Sequence, residues 1–453
     1  MWKVVDDREL GKIRPASFAS HIQSARASSL HLSNRKEFVT AHKGAVNSFQ
    51  VDLTEKRYLL SGASDGSIAV YDVQHATDYN GGGLVAKHTS LFVVDKRQDF
   101  SHKYSVSSVA WYPVDTGLFM TGSLDHYVKV WDTNTVQVEM NFKMPGKVYG
   151  IAMSSVSTSH MLIAAVSEDV QVRLCDISSG AFSHTLSGHR DGVWAVQWST
   201  SNEWVLVTGG CDGAIRFWDI RRAGCFRVLD QFQTQFGRRP PLLKSSTKGS
   251  VPESSVASTS ASAKVKVPQK KAPCGGGAKQ SSINKGWTKG SVLQRQHPGM
   301  LSSRNRASAH YGAVTGLKVT EDGMYLLSAG TDSRLRLWDI ESGRNTLVNY
   351  EAMRLQTNKP IQLAVTPDTE LVFVPGLTAA RAYDIWSGRT ILTFRGHYEC
   401  VNCCWFNSQD QELYTGSNDR QILVWSPDSM VEEEVENNEK GPKRSLDEDC
   451  WSD

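Results

Sequence analysis

The chain has 453 residues, 40% hydrophobic and 21% charged, a length that exceeds what one compact core usually supports and so predicts two domains or one closed, repetitive architecture with appendages. Eight cysteines in such a length, with no apolar leader after "MWKVVDDREL", argue against a disulfide-stapled secreted framework and for reduced thiols in cytosol or nucleus; no run approaches the roughly 18 apolar residues of a membrane span. The formal charge of +3 hides a division, because residues 233–308 hold 14 Lys and Arg against one acid, Glu253, while residues 426–453 hold ten acids against three bases.

The predicted elements begin with a helix. In "RPASFASHIQSARASSLHL", Pro15 stands where a helix can start without losing a hydrogen bond, and Phe18, Ile22, Ala25 and Leu30 follow at roughly helical spacing. Residues 1–36 thus form a short helical extension with no core of their own to join. Such a helix either lies along a neighbouring rim or docks into another protein, and docking through Phe18 and Ile22 is expected.

From residue 42 onward the chain repeats itself. The segments "HKGAVNSFQV…LLSGASDGSIAVYD", "HKYSVSSVAW…FMTGSLDHYVKVWD", "HRDGVWAVQW…LVTGGCDGAIRFWD", "HYGAVTGLKV…LLSAGTDSRLRLWD" and "HYECVNCCWF…LYTGSNDRQILVWS" align almost without gaps. In each, a histidine (His42, His102, His189, His310, His397) is followed 22 or 23 residues later by an aspartate (Asp65, Asp125, Asp212, Asp332, Asp419). Six residues further comes an aromatic residue (Tyr71, Trp131, Trp218, Trp338, Trp425), and four before each aspartate stands a hydroxyl (Ser61, Thr121, Thr208, Ser328, Thr415). Two degenerate copies, one with Cys175 in the aromatic position and one keeping only the Tyr383-Asp384 ending, bring the count to seven.

These segments resemble the WD40 repeat, one four-stranded antiparallel blade of a β-propeller. The resemblance implies an all-β fold, a seven-bladed WD40 β-propeller over residues 37–427 with a short N-terminal helical extension. It also implies that His, Ser or Thr, Asp and Trp hydrogen-bond as a buried chain in each blade, which makes these residues structural. The stretch "EFVT", Glu37 to Thr40, is expected to supply the outer strand of the last blade and so remove the open sheet edges. Two intervals stretch the period: a loop from Gln74 to Ser101 with "NGGG" at its tip, and residues 233–308, rich in Ser, Lys, Gly and Pro. The second has too little to bury to offset its chain entropy and is expected to be disordered, as is the acidic tail 428–453.

Functional candidates lie off the repeat. The second position of each inner strand (Asn47, Ser107, Tyr149, Trp194, Thr315, Asn402) is expected at the channel mouth, and Tyr149 with Trp194 on adjacent blades form a candidate substrate-binding pair. "CVNCC" (Cys400 to Cys404) has one C-x-x-C and no second ligand pair nearby, so buried thiols are expected rather than a metal site. No nucleophile beside a base, no paired carboxylates and no phosphate-cradling glycine loop stand out, so neither catalysis nor a cofactor is expected. The basic insert suits phosphates, although its aromatics, Phe236 and Trp287, are too far apart to stack successive bases. "KVKVPQKK" and "KGPKRS" look like nuclear-import signals and point to the nucleus.

Only the ending "FWDIRR" places an arginine two residues after its Asp. A blade ending W-D-x-R resembles the motif by which WD40 substrate receptors attach to the damaged-DNA-binding adaptor of cullin-RING ubiquitin ligases, and Asp212, Trp218, Asp219 and Arg221 match it. "RYLLSGASDGSIAVYD", "VAWYPVDTGLFMTGSLDHYVKVWDTNT", "NTLVNY", "RGHYECVNCCWF", "ELYTGSNDRQILVW" and "DEDCWSD" extend the similarity to receptors of this class that act in transcription-coupled nucleotide excision repair. The resemblance implies a nuclear, non-membrane protein that joins adaptor, cullin and RING subunits and presents repair or transcription factors near stalled RNA polymerase. It implies that the helix and the planar, permanently charged fork of Arg221 stand free to grip the adaptor. The insert is longer than this class leads one to expect; the alternative reading is a chromatin- or nucleic-acid-associated scaffold that works through it without a ligase role.

Overall fold

The computed structural model describes residues 2–80, 85–231, 308–355 and 359–427. The basic insert up to residue 307, the acidic tail 428–453 and the glycines of "NGGG" lie outside the described residues.

The structure corrects the expected seven blades: its strands make eight sheets, not seven. Seven sheets have four strands each, and their first, innermost strands in chain order are Val46–Val51, Val106–Trp111, Val148–Met153, Val193–Trp198, Val314–Val319, Ala364–Val365 and Val401–Asn407. We number these sheets one to seven. The eighth is three-stranded and joins Lys36–Phe38, Val85–His88 and Asp78–Asn80. Its strands are short and largely polar, with no apolar alternation to announce them, so the sequence reads Asp78–Asn80 and Val85–His88 as loop and gives the first strand's residues to another sheet.

The same sheet diverts the residues expected to close the propeller. Leu30–Leu32, not Glu37–Thr40, pairs antiparallel with Trp425–Pro427 as the outer strand of sheet seven. Leu30 is buried with Phe394 and Trp425. Phe38 instead drops edge-on between Tyr71 and Tyr414, at ring-centroid distances of 5.4 and 5.8 Å. An aromatic pocket between sheets one and seven therefore wins Phe38 from the strand pairing that its position suggests.

Between neighbouring sheets lie apolar layers rich in β-branched residues and aromatic rings; Phe119 stacks on Trp131 at 5.7 Å. Inner strands are also stitched by side chains in a repeated register. Asn402 Nδ2 donates to the Val46 carbonyl at 2.7 Å, Asn47 Nδ2 to that of Val106 at 2.8 Å, and Ser107 Oγ to that of Val148 at 2.7 Å. Each donor is the second residue of one inner strand and each acceptor the first residue of the next. The expectation that all these side chains face the mouth is thereby corrected: Asn402 and Thr315 are fully buried, and Asn47, Ser107 and Asn402 serve the joints between sheets.

Ahead of the sheets run two helices rather than one, α1 (Trp2–Glu9) and α2 (Pro15–Ala27). Helix α2 does not stand free. Ala27 is buried in the core of sheets six and seven, and Ser24 hydrogen-bonds Glu370, while Phe18 and Ile22 further up are only half-buried.

If Leu30 is the closing wedge, Leu30→Ala costs about 2–3 kcal/mol of unfolding free energy in a urea titration, and Leu32→Ala, whose side chain points to solvent, changes it by less than about 0.5 kcal/mol. Equal effects of the two substitutions would contradict the assignment.

Candidate functional site

The turns of an antiparallel sheet alternate between its two ends. The segment entering the first strand and the turn between the second and third therefore share one end; the turns between first and second, and between third and fourth, share the other. We call these the network end and the collar end.

At the network end the repeated residues do what their spacing predicts in four sheets. In sheet two, His102 Nδ1 lies 2.7 Å from Asp125, its Nε2 lies 2.7 Å from Thr121, and Trp131 Nε1 donates to the same hydroxyl at 2.8 Å. The same chain links His189, Asp212, Thr208 and Trp218 in sheet four, His310, Asp332, Ser328 and Trp338 in sheet five, and His397, Asp419, Thr415 and Trp425 in sheet seven. Sheet one departs from it. Ser67 stands between His42 Nδ1 (2.6 Å) and Asp65 (2.6 Å), His42 Nε2 meets Ser61 at 2.7 Å, and Tyr71 turns its hydroxyl to the Ala41 N–H at 3.3 Å.

In all five copies the aspartate also holds two backbone N–H groups. One belongs to the residue two places on, as in Tyr127 to Asp125 at 3.1 Å; the other to the residue after the histidine, as in Lys103 to Asp125 at 3.3 Å. Asp332 shows the electrical balance of such a carboxylate: burial alone would raise its pKa, but the His310 hydrogen bond and charge together with Arg336 hold it well below the usual carboxylate range.

The mouth at this end carries the aromatic pair. Tyr149 and Trp194 meet with ring centroids 5.9 Å apart. Both line a channel cavity of about 500 Å³, at the register where Asn47 and Ser107 make their stitches. Burial raises the Tyr149 hydroxyl pKa, with the charges of Glu168 and Asp191 adding to it. Sequence reading missed three companions, Tyr104, Tyr311 and Tyr398, which are 65%, 73% and 95% exposed at the same end. Their signal is a tyrosine one or two places after the repeat histidine, in "HKY" and twice in "HY".

Arg221 lies at the collar end, in the turn between the third and fourth strands of sheet four. Its Nε and Nη2 donate to the two oxygens of Asp219 at 3.0 and 2.9 Å, and its guanidinium lies 5.2 Å from the centroid of the Trp204 ring. The fork is thus satisfied within its own sheet rather than free, although half of the side chain remains exposed. Trp204 is in turn braced by His160, at 5.2 Å between ring centroids, so the guanidinium is held in one orientation.

Helix α2 reaches this same end, because Glu370 lies in the turn between the first and second strands of sheet six. Around it run further apolar side chains that sequence reading missed. Leu53, Val114, Val156, Met161 and Met324, each in a first-to-second-strand turn, all remain exposed, as does Trp386. Their signal is an apolar residue set among turn formers, as in "YPVDTG" and "EDGMY". Helix α2 and Arg221 thus share an end of the fold.

Among the described residues no group of three or more His, Cys, Asp and Glu could hold a metal ion. Cys403 and Cys404 are buried, and burial pushes both thiols up. No described helix is long and apolar enough to cross a membrane.

Comparison with known proteins bears on this geometry. The family model described as "WD domain, G-beta repeat" matches residues 33–72, 95–132, 180–219, 302–339 and 388–426. WD repeat-containing protein ATCSA-1 of Arabidopsis thaliana is 64% identical over 455 residues, covering all of both chains. The chain belongs to the WD40-repeat family. Shorter matches within that family include Radiation-sensitive protein 28 of Saccharomyces cerevisiae, 26% identical over 39% of this chain and 35% of that one. Another is a ribosome biogenesis protein WDR12 homolog of Drosophila erecta, 29% identical over 42% of this chain and 45% of that one. The five matched WD40 repeats end in the five sheets whose aspartate clamp is complete, and the first three strands of sheets three and six, with Cys175 and Tyr383 in the aromatic position, fall outside them.

The buried imidazoles set a pH limit on this fold. Burial lowers His42 to about 4, against the opposing pull of Asp65. Between that value and the ordinary one near 6.5 the unfolded chain binds the extra proton, so stability is complete above about pH 6.5 and is lost as pH falls toward 4. His42 alone then contributes a slope of about 1 kcal/mol per pH unit, and His102, His310 and His397, also held low by burial, add to it. Urea unfolding at pH 7, 6 and 5 checks this; a flat profile would refute it.

Proposed function

We propose that this WD40 protein is a substrate receptor of a cullin-RING ubiquitin ligase, the counterpart of Cockayne syndrome protein A in transcription-coupled nucleotide excision repair in the nucleus. The observation that carries the reading is the collar end: the end that bears the W-D-x-R arginine also carries α2 and a run of exposed apolar side chains. Scattered exposed apolar residues are ordinary, but a run of them around one end marks an interaction surface. The name of the Arabidopsis relative and the "radiation-sensitive" of the yeast one agree with it.

On this reading α1, α2 and Arg221 engage the damaged-DNA-binding adaptor. An arginine already oriented by Asp219 and Trp204 loses little freedom on docking, and its exposed half is available for a second acceptor. Repair or transcription factors near stalled polymerase bind at the network end, over Tyr149, Trp194 and the exposed tyrosines. The protein performs no chemistry itself. It raises the effective concentration of the target beside a ubiquitin-loaded enzyme, and the separation of the two ends lets adaptor and target bind together.

The structure chooses the test. Removing residues 1–36 would also remove the Leu30–Leu32 strand and confuse docking with folding, so point changes on α2 are needed. Arg221→Ala is expected to weaken capture of the purified adaptor about 5- to 20-fold, and Phe18→Asp with Ile22→Asp by more, in biolayer interferometry with the thermal midpoint unchanged. Unaltered adaptor affinity in both variants would defeat the reading.

A further inference from the structure

Sheet five differs from its neighbours at its outer edge. In sheets one to four and six, the outer strand pairs with four to six residues of the third strand. In sheet five, among the described residues, only Trp338 and Asp339 are paired, with Asn345 and Arg344, and Thr346 adds bonds from its N–H and its hydroxyl to the Leu337 carbonyl at 2.9 and 3.1 Å. Leu347 then takes a φ of 63°, a left-handed conformation that a side chain adopts only at a cost, and the chain turns off the sheet. Its next residues return to the core, where Tyr350, Met353 and Leu355 are buried beside Leu335 and Leu337. Between the strand and this departing segment lies a cavity of about 320 Å³, lined among others by Arg334, Leu335, Arg336, Leu347 and Val348.

Strand alternation fixes which backbone groups face that gap. The Arg334 carbonyl points to the neighbouring strand, where it accepts the Gly330 N–H at 3.2 Å, and the Leu337 carbonyl points outward to Thr346. Residues two apart share an edge, so the Leu335 N–H, the Leu335 carbonyl and the Leu337 N–H lie along this outer edge, where Leu335 lines the cavity. Among the described residues none of the three finds a hydrogen-bond partner. Backbone groups left so are rare, and an extended segment at the ordinary strand spacing of about 4.8 Å would satisfy them.

Charge selects the occupant. Among the described residues the cavity lining includes two arginines and no acid. Arg336 is committed to Asp332 at 2.8 Å, whereas Arg334 is exposed at the rim. The chain's own segment 232–307 departs beside Gln231, another lining residue, but with 14 bases against one acid its charge has the wrong sign.

We propose that the open edge of sheet five is a strand-addition site for an extended acidic peptide of another protein, with Leu335 and Leu337 supplying the backbone bonds and Arg334 the preference for acidic side chains. The probe is a labelled peptide of alternating Glu and Val added to the full chain. The Leu335 and Leu337 amides exchange fast with deuterium in the free protein and slow about tenfold or more at saturating peptide. Arg334→Glu, at an exposed position that leaves the fold intact by circular dichroism, weakens peptide binding about tenfold. A peptide N-methylated at alternate residues does not bind. Equal binding of the N-methylated peptide, or of its Lys and Val counterpart, would overturn the proposal. So would slow exchange of both amides in the free protein; if deletion of 232–307 then releases them, the chain's own segment is the occupant.

Discussion

Five half-buried carboxylates fix the network end of every complete repeat. Each lies beside an imidazole or a serine relay, and each holds the N–H after the histidine and the N–H two residues past itself. The residue between that second N–H and the aspartate has positive φ in all five copies: Gly66, His126, Gly213, Ser333 and Arg420. Glycine adopts this geometry without strain, and three of the five positions adopt it without glycine, because the carboxylate grips the turn from both sides. A group that pins its turn this firmly must stay partnered, and its partners are two amides in every copy with a histidine ring in four and the Ser67 hydroxyl in the fifth.

From that constraint the two ends acquire different freedoms. The network end is held by side-chain clamps, so what varies there is the residue that projects beyond the clamp, tyrosine in three copies. At the collar end the third-to-fourth-strand turns share a lighter device: in sheets one to six the aspartate that closes the third strand accepts the N–H two residues on, as in Gln74 to Asp72 at 3.0 Å and Asn134 to Asp132 at 2.9 Å. The first-to-second-strand turns there are capped singly, as where Asp52 accepts the N–H groups of Glu55, Arg57 and Tyr58, and each of these can differ in length and chemistry. The greatest variety between sheets therefore falls in the first-to-second-strand turns, the ones that carry the exposed apolar side chains.

Much of the architecture was legible because the repeat is written in residues whose chemistry admits few other uses. A histidine, a hydroxyl, an aspartate and a tryptophan at fixed intervals announce a buried chain, and they formed one wherever all four were present. The position of the closing strand was not legible. Leu30–Leu32 and Lys36–Phe38 both offer a short strand, and what decides between them is the pocket between Tyr71 and Tyr414, which exists only after sheets one and seven have met. The three-stranded sheet was hidden for a related reason, since its strands are too short and polar to carry a period. At the candidate site Arg221 was visible as a departure from the repeat. Trp204, which orients it, looked like any apolar residue before a strand, and the apolar collar is a property of several turns at once that no single stretch displays.

The chain leaves sheet four after Gln231 and re-enters at Ser308, where the Gln231 N–H donates to the Ser308 carbonyl at 3.2 Å. Departure and return thus occupy adjacent lattice points on one rung, and the cost of closing an intervening loop grows only as the logarithm of its length, about 0.6 kcal/mol per doubling. The scaffold is in effect indifferent to what is spliced there. That junction is a ready-made socket, at which lineages or engineers can exchange one polypeptide for another without renegotiating the ring.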